Sequence, residues 1–167
     1  MARTRLAAGA ARRLLSRLGI KEPPIRVRQV AEKLDIRVTA EDFPDKISGA
    51  LIRSDNGIHI AVNKNHPVTR QRFSIAHELG HYLMHPNSAA YYDQKHEIGV
   101  LFRAKPDAPV WDSREVEANR FAAELLMPRR MVIAAIQRAG AAEASRLASQ
   151  FDVSEEAMTY RLADIRI

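Results

Sequence analysis

Two histidines and a glutamate at positions 77, 78 and 81 carry the chemistry that this sequence advertises. His77-Glu78-Leu79-Gly80-His81 lies inside Arg72–His85, a stretch of good helix formers with no proline until Pro86. On a helix, residues four apart sit one above the other, so His77 and His81 present both rings on one side, about 5–6 Å apart at Cβ. That spacing lets two ring nitrogens share one Zn²⁺ at about 2.0–2.1 Å. Glu78 is rotated about 100° from His77, which is wrong for a ligand. It is well placed to take a proton from water polarised by a metal. The pattern should arise in roughly 1% of shuffled chains of this composition, so a chance surface helix explains it poorly.

The elements that must hold these residues follow from periodicity. Leu6, Ala10, Ala11, Leu14, Leu15 and Leu18 recur at helical spacing up to Gly19. After Pro23-Pro24, residues 27–34 read as a short helix leading into a strand at Ile36–Thr39. Ser48–Arg53 and Ile58–Val62 flank Asp55-Asn56-Gly57, which predicts a β-hairpin. Such a hairpin offers an edge strand that can align an extended substrate. The motif helix is expected to start at a Thr69 cap and to stop by His85, because Pro86 disfavours helix in the residue before it. Gly80 inside it costs about 1 kcal/mol against alanine, which suggests another backbone passing close by.

Residues 87–110 show no period and read as a long surface loop, a candidate gate for the site. Asp112 or Ser113 caps a helix over Arg114–Met127. Pro128 opens another that runs to Gly140, and 141–150 and 154–165 form a last pair with Ser154 as cap.

Composition narrows the chemistry. The 167 residues contain no cysteine, which excludes disulfides and thiolate metal sites and leaves histidine and carboxylate. No apolar run approaches the length that crosses a bilayer. Arginines interrupt every apolar stretch of residues 1–19, so a signal peptide is not expected and the expected location is the cytoplasm. The net charge of +6 is spread along the chain and fits a solvated surface better than a nucleic-acid footprint.

A third ligand has to come from elsewhere. His85 is about 12 Å along the helix from His77. Glu115, Glu117 and Glu124 qualify by location. Glu117 shares a face with Phe121 and Glu124, and spacing alone does not choose between those two carboxylates.

Four stretches resemble the ImmA/IrrE family of metallopeptidases. They are Arg72–His85, Glu117-Ala118-Asn119-Arg120-Phe121-Ala122-Ala123-Glu124-Leu125-Leu126-Met127-Pro128, the hairpin opening Ile47-Ser48-Gly49-Ala50, and Phe151-Asp152-Val153-Ser154-Glu155-Glu156-Ala157-Met158 with Arg161-Leu162. Together they span about residue 27 to the C-terminus. The resemblance implies zinc (Mn²⁺ being the other candidate metal) held by His77, His81 and Glu117, with Glu78 catalytic. It implies an endopeptidase whose substrate is a helix-turn-helix repressor or similar regulator, in stress response, toxin–antitoxin control or mobile-element induction.

The expected fold is α+β: a mainly helical, zincin-like domain with a small twisted sheet beside the motif helix and a C-terminal helix-turn-helix-like pair. Its expected parts are an N-terminal arm over 1–24, a peptidase core over 25–128 and a helical extension over 129–167. Tyr82, His85, Tyr91, Tyr92 and His96 are the candidate oxyanion donors. Two other classes of function remain in view, a DNA-binding regulator and a non-catalytic protein-binding module. A recognition helix opening with Glu155-Glu156 would meet phosphates with the wrong sign.

Overall fold

The stripe of small and branched apolar residues on the first helix is what lets it lie flat on the rest of the chain. The computed structural model describes residues 2–55, 57–86, 91–94 and 113–165, with backbone only at 2, 3 and 91–94. Helix α1 (Ala2–Arg17) buries Ala7, Ala11, Leu14 and Leu15, while Leu6 points outward. Gly19, at φ 68°, takes the left-handed turn that ends this segment. The short α2 (Val27–Glu32) buries Val27, Val30 and Ala31 and delivers the chain to the sheet.

Strands β1 (Ile36–Glu41), β2 (Ile47–Ser54), β3 (Gly57–Asn63) and β4 (Tyr91–Gln94) lie in the order β1-β3-β2-β4. The β2–β3 hairpin forms as the sequence suggests, with Gly57 at φ 107°; its Asn56 is outside the described residues. β3 runs parallel to β1 and antiparallel to β2, so Val38, Ile60 and Leu51 meet across one face. The outer edge of β2, expected to be open, is paired antiparallel with β4. Residues 87–110, expected as a long surface loop with room for local structure, therefore contain a strand. The rest of that segment, and the gate assigned to it, lies outside the described residues.

Helix α3 (Val68–Met84) carries the motif. It starts at Pro67 rather than at a Thr69 cap, because the Pro67 carbonyl already accepts from the amides of Arg70 and Gln71. Proline has no amide of its own to leave unsatisfied there. Helix α4 (Ser113–Leu126) packs on α3, with Ala118 and Phe121 against Gly80. A Cβ on Gly80 would stand 3.0 Å from Ala118 Cα and 3.1 Å from its carbonyl oxygen, so the expected close backbone is α4.

Helices α5 (Arg129–Ala139), α6 (Ala144–Phe151) and α7 (Glu155–Asp164) complete the chain. Gly140 ends α5 at φ 72°, and Ser154 Oγ caps α7 by accepting from the Ala157 amide at 3.2 Å. Arg72 ties the α6–α7 corner to the start of α3: its Nε donates to the Asp152 carbonyl at 2.8 Å and its Nη2 to that of Ile25 at 3.0 Å. One buried apolar cluster runs from Ala7 to Ile165. The expected α+β class, mainly helical around a small mixed sheet, is what forms. No helix among the described residues is long and apolar enough to cross a membrane.

Candidate metal centre

Helical geometry brings the two motif rings together as the spacing requires. The His77 and His81 ring centroids are 4.6 Å apart, and their Nε2 atoms approach to 2.9 Å. Both rings are buried, in the seam where α4 crosses α3 at Gly80. That crossing lays the first turns of α4 over the histidines.

The carboxylate that reaches them is Glu115. Its Oε1 lies 3.1 Å from His81 Nε2 and its Oε2 3.3 Å from His77 Nε2. Among the described residues, His77, His81 and Glu115 form the one group whose donor atoms converge enough to hold a metal ion. Ligands at about 2.0–2.1 Å around a tetrahedral ion stand about 3.3 Å apart. The two Nε2 atoms stand 2.9 Å apart and each lies within 3.3 Å of one Glu115 oxygen, so nitrogen and oxygen donors of the kind Zn²⁺ prefers come together here.

Glu117, the residue the family resemblance implied, is not brought into this group. Glu117 Oε2 lies 3.8 Å from His85 Nε2. Glu124 is further removed from the chemistry. It is buried under the C-terminal helices, where Arg161 Nη2 donates to its Oε2, and Arg12 Nη1 donates to its Oε1 at 3.3 Å.

Asn119, one turn beyond Glu115 on the same face of α4, was not singled out from the sequence. His77 Nδ1 stands 2.7 Å from its Oδ1. A carbonyl oxygen only accepts, so Nδ1 carries the proton and Nε2 keeps a lone pair for a metal. The spacing of four between Glu115 and Asn119 was the signal that could have found it.

Electrostatics favour the metal-ready state. Burial pushes the His81 pKa below its ordinary value, against the pull of its Glu115 hydrogen bond. Burial alone would raise the Glu115 carboxyl, yet its contacts with the His77 and His81 rings outweigh it and hold the group well below the carboxylate range. A neutral His81 beside an ionised Glu115 is what a divalent cation needs.

Glu78 is fully buried on the side of α3 that faces the sheet. A Cβ on Gly49 of β2 would stand 3.4 Å from Ser74 Cβ and 3.6 Å from Glu78 Oε1, so β2 passes directly over it. Among the candidate oxyanion donors, Tyr82 packs under Arg53, and His85 Nε2 lies 3.3 Å from the Arg114 carbonyl. The side chains of Tyr91 and Tyr92, and all of His96, lie outside the described residues.

The chain is similar to several known proteins. The model of Peptidase_M78, the IrrE N-terminal-like domain, matches residues 31–163. An uncharacterized immunity region protein 2 from Bacillus phage phi105 is 28% identical over 123 residues, covering 74% of this chain and 69% of the phage protein. A solved Mycobacterium tuberculosis transcriptional regulator shares the fold at TM-score 0.65 and 18% identity. That match covers 94% of this chain but only 46% of the regulator.

Proposed function

This chain belongs to the IrrE N-terminal-like domain family, and on that premise we propose that it is a zinc-dependent endopeptidase acting on a regulatory protein. The observation that carries the reading is the convergence of His77, His81 and Glu115 beside a buried glutamate of the same helical turn. His77, His81 and Glu115 hold the metal, in place of the set that includes Glu117. A bound Zn²⁺ supplies Lewis acidity and brings the pKa of its water to about 7.

Glu78 takes a proton from the attacking water as the carbon–oxygen bond forms at the scissile carbonyl. It returns that proton to the leaving nitrogen as the carbon–nitrogen bond breaks. Burial of Glu78 beneath β2 keeps bulk water from competing for it. Asn119 holds the His77 ring in the tautomer the metal requires.

Similarity to a phage immunity region protein supports a regulator, such as a helix-turn-helix repressor, as the substrate class. The work of such an enzyme lies in the cytoplasm. Direct DNA reading by α7 is disfavoured, because its Arg161 side chain is buried and bonded to Glu124, Asp164 and the Met127 carbonyl.

The test is to load the purified protein with Zn²⁺ and incubate it with a repressor encoded beside its gene. Cleavage by the wild type, with none by a Glu78→Gln variant that still binds Zn²⁺, is the expected result. Equal function of the two proteins would refute the enzyme.

A further inference from the structure

Arg53 is a half-buried cation that no anion among the described residues meets. Strand alternation puts Gly49, Leu51 and Arg53 on the face of β2 turned toward α3. Gly49 lies over Glu78, and Arg53 is four residues further, about 13 Å along the strand. There its guanidinium sits 5.4 Å from the centroid of Tyr82, one helical turn past Glu78 and adjacent to His81. Glu78, Tyr82 and Arg53 therefore share one seam between α3 and β2.

Its Nε and Nη2 are shielded from solvent and donate to no described residue. The other buried arginines are handled differently. Arg72 donates to three carbonyls and pairs with Asp152, and Arg161 donates to a carbonyl and pairs with two carboxylates. Natural folds rarely leave such donors unused, because removing them from water without a partner is costly. Nε–H and the neighbouring Nη2–H point the same way, forming the pair of parallel donors that a carboxylate accepts with both oxygens. Stacking on Tyr82 fixes the plane of that fork.

We infer that Arg53 is the specificity-determining residue of the cleft, binding an acidic side chain of the peptide substrate a few residues from the bond that is cut. This rests on the proposed peptidase reading. It narrows the substrate class to segments carrying Asp or Glu at a set distance from the scissile bond.

The test uses two readouts on the zinc-loaded chain in physiological salt. In the first, fluorescein-labelled random peptides with one fixed glutamate, or one fixed alanine, are titrated into the Glu78→Gln variant by anisotropy. In the second, the same pools are offered to the wild type and the cut sites are read by mass spectrometry.

The expected result is a preference of about tenfold or more for the glutamate pool in both, at one fixed distance from the cut. Arg53→Ala should lose the preference while keeping its alanine-pool values, and Arg53→Glu should turn it toward a lysine pool. Arg28→Ala, on the exposed side of α2, should keep it, which separates a site from the overall positive charge.

Binding preference without cleavage would sink the peptidase and leave Arg53 as an acidic-peptide site. Cleavage without an acidic preference, or a preference unmoved by Arg53→Ala, overturns the Arg53 proposal. So does an Arg53→Ala variant that weakens both pools equally or only lowers Tm, since that marks Arg53 as packing alone. An absence of both binding preference and cleavage overturns both readings.

Discussion

Asn119 Oδ1 accepts a 2.7 Å hydrogen bond from His77 Nδ1 across the α3–α4 seam, and it leaves Nε2 as the unprotonated nitrogen turned toward His81 and Glu115. Glu115 approaches the same ring from one turn earlier on α4. A single helical face thus supplies both a proposed ligand and the group that orients another proposed ligand. Removing the orienting group should weaken the site without emptying it. Asn119→Ala is expected to cost about 10–100-fold in Zn²⁺ affinity, while Asn119→Asp, which keeps an acceptor, should stay near wild type. Competition against a chromophoric chelator measures both, and unchanged affinity in the alanine variant would show that the hydrogen bond does not tune the metal.

The same titration separates the three glutamates. Glu115→Ala should lose at least about 100-fold in Zn²⁺ affinity, more than a merely orienting contact gives. Glu117→Ala and Glu124→Gln should bind Zn²⁺ almost as the wild type does. A large loss at Glu117 would restore the ligand set that the family resemblance implied.

These residues show what sequence could and could not say. Local rules placed the histidine pair, because helical spacing alone puts His77 and His81 on one face. They also placed the β2–β3 hairpin, the stop at Gly140 and the Ser154 cap, each set by one residue's conformational preference. The choice between Glu115 and Glu117 depended on the azimuth at which α4 crosses α3, a long-range packing outcome centred on Gly80 and Ala118. Pairing of β4 with β2 joins segments about forty residues apart and leaves no periodic signature in four residues. Arg53 was invisible for a related reason, since an unused donor is defined by the neighbours that are not there.

Gly80 is the point at which α3 and α4 touch through backbone. Alanine there would gain about 1 kcal/mol of helix propensity. Its Cβ would press on Ala118 Cα at 3.0 Å, and relieving such overpacking costs about 1–3 kcal/mol. Because the obstacle is backbone rather than a mobile side chain, the steric term should win. Gly80→Ala should lower Tm, and it should weaken Zn²⁺ binding by pushing Glu115 away from the rings. A variant with raised Tm and intact metal affinity would mean the helices can separate at no cost to the site.

Acid should destabilise the metal-free protein through the same cluster. His81 has its pKa lowered by burial, so as pH falls below its ordinary 6.5 the unfolded chain takes up a proton that the folded one resists. Stability is lost from that point downward. Glu115 is held below its ordinary 4.5, so its contribution is present above that value and disappears as pH falls further. The two effects share a sign, and Tm of chelator-treated protein should decline steadily from about pH 6.5 to below 4.5. A Tm that is flat or rising on acidification over that range would contradict the burial of His81 and its bond to Glu115.

Glu124 and Arg161 form a buried pair far from the metal, 2% and 0% exposed, joining α4 to α7. Arg161 also donates to the Met127 carbonyl at 2.9 Å and to Asp164 at 2.8 Å, and Arg120 holds the other oxygen of Asp164 at 2.7 Å. Removing one partner of such a network leaves a buried charge that solvent cannot reach. Arg161→Ala should therefore cost about 3–5 kcal/mol, moderated by the Arg12 contact that still reaches Glu124. Glu124→Gln keeps the volume and two hydrogen-bonding atoms, so its cost should be smaller. Replacing both residues with leucine and methionine should recover most of the loss, because the desolvation penalty goes with the charges. Urea denaturation of the three variants decides the matter: an Arg161→Ala loss below about 1 kcal/mol would mean the pair behaves like a solvent-screened surface bridge instead.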